Sequence, residues 1–275
     1  MIIMKLASKD HIEWIEDTGE RVTLADGKTI EVWVLKHAND EEILSYWAKH
    51  LRNHYCLDDE IDFYRKGYNF SRAEYLNKIK FPDHSVAPGP SIRAGDFSEI
   101  LVADYLQYVL NYWVPRTRYG DKTVRNESTK GSDIIGFKIF KEEQDSLEDT
   151  LAIFEAKAKF TGRGENRLQD AVNDSSKDHA RKAESLNAIK QRLFQKGLLS
   201  DAERIERFQN LEDRPYKEIY GAVALFSSAN YDSEMASETD VSKHPNSNNL
   251  KLLIIHGHEM MELVHMIYRR AADEA

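Results

Sequence analysis

One cysteine, Cys56, is all the chain has in 275 residues. A single thiol excludes a disulfide framework within the chain and the thiolate sets of a structural zinc site. It reads as a small, partly buried side chain beside Tyr55. No apolar run is long enough to span a bilayer, and no low-complexity tract is present. A composition of 41% hydrophobic and 31% charged residues is ordinary for a soluble globular protein. The opening, MIIMKLASKD, turns charged too soon for a signal peptide. A reducing cytoplasm is therefore the expected compartment, with no membrane contact. An excess of positive charge is lacking too: the net charge of −9 argues against a simple nucleic-acid coat protein. TGRGENR lacks the Gly-Lys-Ser/Thr ending of a phosphate-binding loop, and no serine or cysteine sits in a nucleophile elbow. In HGHE at 256–259 the histidines are two apart rather than four, so a strand-to-helix turn explains it better than zinc.

Charge is unevenly spread along this acidic chain. Arg116 to Lys130 holds five basic and two acidic residues, and Lys157 to Lys196 holds ten basic and five acidic. Asp201 to Lys243 reverses the balance, with ten acidic and five basic. A polyanion would meet a basic middle on an acidic body; solvated helix and loop charges are the plainer alternative.

Two regions are expected, 1–90 and 91–275. In the first, an α+β region, RVTLADGKTIEVWVL alternates about Asp26-Gly27 and predicts a hairpin with a type I′ turn. DEEILSYWAKHLRNHY has helical spacing at Ile43, Leu44, Trp47 and Leu51. SRAEYLNKI predicts a short helix with a Ser71/Glu74 capping box. Trp33, Trp47 and Tyr64 are candidate exposed aromatics for a partner surface. FPDHSVAPGPS is a boundary loop. In the second region, DFSEILVADYLQYVLNYW predicts a buried helix ended by Pro115, and TRYGDKTVR a short strand or turn. Strands follow at about 133–140 and 150–159. Residues 165–197 then read as a long helix, with apolar positions that include His179 and with Gly197 as its C-cap. Ser200 and Glu203 would cap another helix. EIYGAVALFSS and LKLLIIHGH read as buried strands, 230–249 as a polar, mobile loop, and EMMELVHMIYRRAA as a closing helix. The class is α/β, a mixed central sheet with flanking helices.

The chemistry concentrates between Gly131 and Lys159. Residues i and i+2 of a strand share a face, so Glu155 and Lys157 should point one way and Phe154, Ala156 and Ala158 the other. A neighbouring strand would bring Asp133 beside them. Two carboxylates can hold a divalent cation such as Mg²⁺, which uses one or two carboxylates plus waters and phosphate oxygens. An ammonium beside it would orient or deprotonate water, and its pKa should be lowered there. Arg116, Arg118, Arg125 and Lys130, together with Lys177 and Arg181, are candidate phosphate contacts; solvated charges are again the alternative.

Asp133, twenty-one residues, then Glu155-Ala156-Lys157 resembles the PD-(D/E)XK nuclease superfamily, the restriction-endonuclease-like fold. Its core order αβββαβ would map to residues 96–228. Glu99 matches an additional glutamate often found on the first helix, although Asp96 and Glu99 also fit a capping box. Ser132 stands where the superfamily motif has proline. Over nearly the whole chain, PGPSIRAGDFSEILVADYL, YWVPRTRYGDKTVRNESTKGSDIIGFK and FEAKAKF look like the HamA nuclease subunit of Hachiman anti-phage defence systems. This resemblance implies a DNA nuclease of little sequence specificity using Mg²⁺ or Mn²⁺. It assigns metal binding to Asp133, Glu155 and Glu99 and water positioning to Lys157. It also implies a superfamily-2 helicase subunit that restrains the nuclease. A non-catalytic binding subunit on the same fold, or an RNase, are the alternatives.

Overall fold

The computed structural model describes residues 9–162 and 164–275. The opening residues considered as a signal peptide, Met1 to Ser8, and Arg163 of TGRGENR lie outside them. Alternation forms the hairpin as expected: β1 (Ile15–Thr23) pairs antiparallel with β2 (Thr29–Leu35). The turn is different. Leu24 N donates to Lys28 O at 2.8 Å, and Gly27 N to Leu24 O at 3.0 Å. Gly27 alone in this loop has a positive φ, +85°. The bend is thus a type I turn on Ala25-Asp26 finished by a left-handed glycine. A type I′ turn would force Asp26 into that region at about 1–2 kcal/mol.

Helix α1 (Glu41–Tyr55) is capped by Asp40, whose side chain accepts from the amides of Glu42 and Ile43. Trp47 is fully buried on it rather than exposed, because it lies on the same stripe as Leu44 and Leu51. Short helices α2 (Ile61–Arg65) and α3 (Arg72–Tyr75) follow, the latter with the expected Ser71/Glu74 capping box. Helix α4 (Gly89–Asp104) begins earlier than expected, with Pro90 in its first turn. Asp96 and Glu99 are therefore mid-helix, and the capping-box alternative for them is overturned. The helix gives way to a π-helical turn, Tyr105–Val109, and Asn111 in the left-handed region stops it before Pro115 is reached.

TRYGDKTVR forms turns rather than a strand; Trp113 contributes a single antiparallel bridge to Phe137. Two full strands come next, β3 (Ile134–Lys138) and β4 (Thr150–Lys159). The expected αβββαβ order is thus present with its first strand reduced to one bridge. The long helix expected after β4 is two, α5 (Arg167–Ser175) and α6 (Asp178–Gln195). The break lets Asp178 turn inward to accept a hydrogen bond from Ser132 Oγ at 2.8 Å, and leaves His179 exposed. Gly197 takes the left-handed C-cap conformation, φ +73°. It delivers the chain so directly into α7 (Leu199–Glu206) that Ser200 is already inside the helix and caps nothing. β5 (Lys217–Ser227) is buried along most of its length. The polar stretch beyond it carries a short helix, α8 (Ser233–Ser237), capped by Asp232, and buries Val241 and His244. β6 (Leu250–Gly257) and α9 (Met260–Asp273) complete the order.

The strands join in one mixed six-stranded sheet, β1-β2-β6-β5-β4-β3. β2, β6, β5 and β4 run parallel, and a hairpin closes each edge. Parallel strands covered on both faces read as continuous apolar runs, as β5 does. One face packs on α1, α4 and α9 through Trp47, Phe97, Phe154 and Leu263; the other packs on α5, α6 and α7 through Ile153, Val172, Leu186 and Ile205. The β2–β6 ladder carries the sheet across the line drawn at residue 90. Among the described residues no helix is long and apolar enough to cross a membrane.

Gly221 lies opposite Phe154 in the β4–β5 ladder, and a Cβ there would stand 2.3 Å from the Phe154 ring. Gly221→Ala is expected to destabilise the fold by about 1–3 kcal/mol through overpacking. A lower urea midpoint at unchanged slope would register it; an unchanged midpoint would refute it.

Candidate active site

The β3–β4 ladder pairs Ile134 with Phe154 and Ile135 with Ile153. Asp133 immediately precedes β3, and its Oδ2 accepts from the Ala156 amide at 3.4 Å, which sets it beside Glu155. Ile135 and Ile153 face the α5–α6 layer, so the odd-numbered Asp133, Glu155 and Lys157 share that side. Lys157 Nζ stands 3.8 Å from Glu155 Oε2 and 2.6 Å from Asp174 Oδ2 on α5. These groups open on a cleft of about 740 Å³, whose lining also includes Glu99, Arg118, Lys130 and Arg181. Residues 184–192 of α6 form one of its walls.

Too much negative charge is collected here for all of it to ionise. Glu155 is buried; desolvation, then the charge of Asp133 and a hydrogen bond between the two carboxyls, push its pKa up to about 11. A hydrogen bond also joins Glu155 to Asp178. Asp178 is raised to about 6 by burial and by Asp133, against the hydrogen bond from Ser132. Glu99 rises to about 8, again chiefly through burial, with Arg118 pulling it down and Asp133 and Asp96 pushing it up. Lys157 departs from expectation. Burial lowers it, but the bond to Asp174 and the charges of Asp133 and Glu155 outweigh burial, and its pKa is raised.

The remaining candidates fall into two groups. Arg118 joins the acidic cluster itself: Nε is 3.1 Å from Glu99 Oε2 and Nη2 is 2.8 Å from Asp133 Oδ1. Glu99 also accepts from Tyr119 Oη at 2.5 Å. Lys130 and Arg181 line the cleft, and Lys177 is exposed, paired with Asp174 at 2.5 Å. Arg116 and Arg125 are committed elsewhere. Arg116 is buried against Asp104 and Gln107, and Arg125 holds Asp83 and the carbonyls of Asn77 and Phe81. Neither guanidinium is free to clamp a phosphate.

Two sets of residues were not singled out from sequence. Asp174 and Asp178 sit on either side of a helix break that the apolar spacing did not disclose. A second cluster, His11, His50, His54 and Asp104, lies where α1 meets the end of α4. His50 and His54 are four apart in KHLRNHY, so the helical spacing was a signal for it. Burial would raise Asp104, but His50, Arg116 and hydrogen bonds from His11 and His50 hold it well below the carboxylate range. Desolvation holds both His11 and His54 below the ordinary histidine value. Among the described residues, His11, His50 and Asp104 are the one trio of His, Cys, Asp or Glu with ligand atoms all within 4.8 Å of one another. Glu99, Asp133 and Glu155 are not gathered so tightly; Arg118 stands between the first two. HGHE forms no such group. His256 bonds Ser228 Oγ and stacks on Tyr231, while His258 is exposed.

A carboxyl whose pKa is higher in the folded than in the unfolded chain keeps a proton that unfolding releases. Its stabilising contribution is whole below the ordinary glutamate value of 4.5 and is lost as pH rises toward about 8 for Glu99 and about 11 for Glu155. Below about pH 6.5 the buried His11 and His54 pull the other way, because unfolding lets them take up protons. Above that the histidines are neutral in both states, so the melting temperature of the protein alone is expected to fall between about pH 7 and pH 8. Glu155→Gln should flatten that slope, as measured by calorimetry across the pH range. A slope as steep in the variant as in the parent would contradict this assignment of charge.

The family described as HamA matches residues 9–271 of the chain. A search of curated proteins finds no match.

Proposed function

The chain belongs to the HamA family, and from that premise we propose that it is the metal-dependent nuclease subunit of a two-part anti-phage defence complex, hydrolysing DNA with little sequence specificity. The observation that carries this reading is the meeting of the Asp133 and Glu155 carboxyls where β3 begins beside β4, with Lys157 beside Glu155 at the lip of the cleft.

The donor set suits a hard divalent cation. The carboxyls of Asp133, Glu155 and Asp178 crowd one another and share protons that a cation would displace. Asp133 and Glu155 would hold Mg²⁺ or Mn²⁺, which when bound supplies positive charge to the scissile phosphate and acidifies water. Glu99, held by Arg118 and Tyr119, joins that set only if Arg118 moves aside.

The protein's own groups account for the rest. Lys157 is kept protonated by Asp174, Asp133 and Glu155. As an ammonium it orients the attacking water through that water's lone pair and balances charge building on the phosphate oxygens. Arg118 balances Asp133 and Glu99 until substrate enters. Lys130 and Arg181 offer cations to the flanking phosphates without reading bases, which fits weak sequence preference. The family's helicase partner would dock on the N-terminal region, where Phe63, Tyr64 and Tyr68 are exposed around α2.

Lys157→Ala, Asp133→Asn and Glu155→Gln are each expected to reduce plasmid nicking with Mg²⁺ or Mn²⁺ by about 100-fold or more, the scale of losing a group that stabilises the transition state. Nicking at parental rate in Lys157→Ala would reject the enzyme reading, and preferential cutting of RNA over duplex DNA would replace DNA as the substrate. The isolated chain should also cleave faster than the same chain bound to its helicase; equal rates would reject restraint by the partner.

A further inference from the structure

We propose that Arg118 stands in for a second metal ion: its guanidinium fills the gap between Glu99 and Asp133, so the cleft takes one divalent ion, on Asp133 and Glu155, and Glu99 serves Arg118 rather than a metal. The proposal rests on the metal-dependent reading above and sets the number of ions in it.

Arg118 is tied to both carboxyls and to the loop before β3. Nη2 donates to Asp133 Oδ1 at 2.8 Å and to the Thr129 carbonyl at 3.1 Å, and Nη1 donates to the carbonyl of Ser132. Nε faces Glu99 Oε2 at 3.1 Å, as an ion pair without hydrogen-bond alignment. A guanidinium stays charged throughout the working pH range. A metal ion placed in the same gap would press against that charge in a setting with little water to screen the repulsion.

The segment that carries Arg118 is anchored rather than free to swing. Thr117 and Tyr119 are buried on either side of it. Arg116 pairs with Asp104 at 2.7 Å and Lys122 with Asp96 at 2.6 Å, and these two basic side chains keep only 5% and 4% of their surface exposed. Lys80 Nζ donates to the Gly120 carbonyl at 3.3 Å. Withdrawing the guanidinium would strip hydrogen bonds from the Thr129 and Ser132 carbonyls and leave Glu99 and Asp133 with no cation between them.

The oxygens of the two acids are divided accordingly. Arg118 takes Oδ1 of Asp133, while Oδ2 lies toward β4, where it accepts from the Ala156 amide at 3.4 Å. An ion shared with Glu155 therefore meets Oδ2. Two carboxylates suffice for an ion of this class, with water and phosphate oxygens completing its shell. Glu99 Oε2 is spent on Arg118 and on Tyr119 Oη, which donates at 2.5 Å. Glu99 thus holds Arg118, and Arg118 aims Asp133. Arg118 is a positioning residue that also brings a fixed positive charge to the cleft.

The test counts Mn²⁺ on the full-length chain, without DNA, from the paramagnetic resonance signal of the free ion. About one ion per chain is expected in the parent. Asp133→Asn should weaken its binding about 10-fold or more, and Glu99→Gln by less than about 3-fold. Arg118→Met should take up a second ion in the vacated gap, lost again when Glu99→Gln is added. Two ions in the parent would overturn the proposal. So would a loss in Glu99→Gln as large as in Asp133→Asn, because Glu99 would then be a ligand. A count that stays at one in Arg118→Met would overturn it as well, since something other than the guanidinium would be keeping the second ion out. Should Arg118→Met fail to fold, the comparison of Glu99→Gln with Asp133→Asn decides. An absence of bound Mn²⁺ in the parent, or binding that Asp133→Asn leaves untouched, would reject the metal-dependent reading itself and this proposal with it.

Discussion

Like charges held together out of water are the constraint on which this structure turns. The carboxyls of Asp133 and Glu155 meet where β3 begins beside β4, and Asp178 approaches from the break between α5 and α6. Two ionised carboxylates in such a place repel strongly, because the screening that water provides is gone. The chain answers with cations of its own: Arg118 against Asp133 and Glu99, and Lys157 against Glu155 and Asp174. Even so, Glu155 keeps a proton, which it shares with Asp133 and Asp178.

The fold braces this arrangement from behind. Ser132 Oγ accepts a hydrogen bond from Ser185 Oγ, its amide N–H donates to Ser185 Oγ, and its hydroxyl donates to Asp178. The loop before β3 is thereby stitched to α6. Arg118 adds hydrogen bonds to the carbonyls of Ser132 and Thr129. Asp133 thus sits at the end of a segment tied on two sides, so its position does not rely on a flexible loop. Where the superfamily motif has proline, this chain has a serine that is part of the brace.

Strand chemistry was the most legible part of the sequence. The i, i+2 rule put Glu155 and Lys157 on one face, and the apolar runs marked β3 to β6 with near-correct bounds, because a period of two in a covered sheet leaves a strong trace. The hairpin was legible as an element but not as a turn type, since Asp-Gly fits both a type I′ bend and a type I bend followed by a left-handed glycine. Helix ends were read less well. Asp96 and Glu99 looked like a cap, yet Pro90 starts the helix two turns earlier. Trp47 looked exposed in isolation and is central to one core layer. Side-chain partners across distant segments were not legible at all: Arg116 and Asp104, or His11 and His50, meet only because the sheet and α4 bring them together. Counting basic residues therefore named Arg116 and Arg125 as phosphate contacts without revealing that Asp104 and Asp83 hold them.

Strand order in space bears on how the molecule is made. β2, near the start of the chain, finds its parallel neighbour in β6, and β4 needs β5, which begins only at Lys217. Ladders between such distant segments close late, since the loop between them must be ordered first. A chain still emerging from the ribosome therefore carries Asp133, Glu155 and Lys157 on strands that have no sheet to hold them, and the cleft takes shape only when the last quarter of the polypeptide is available.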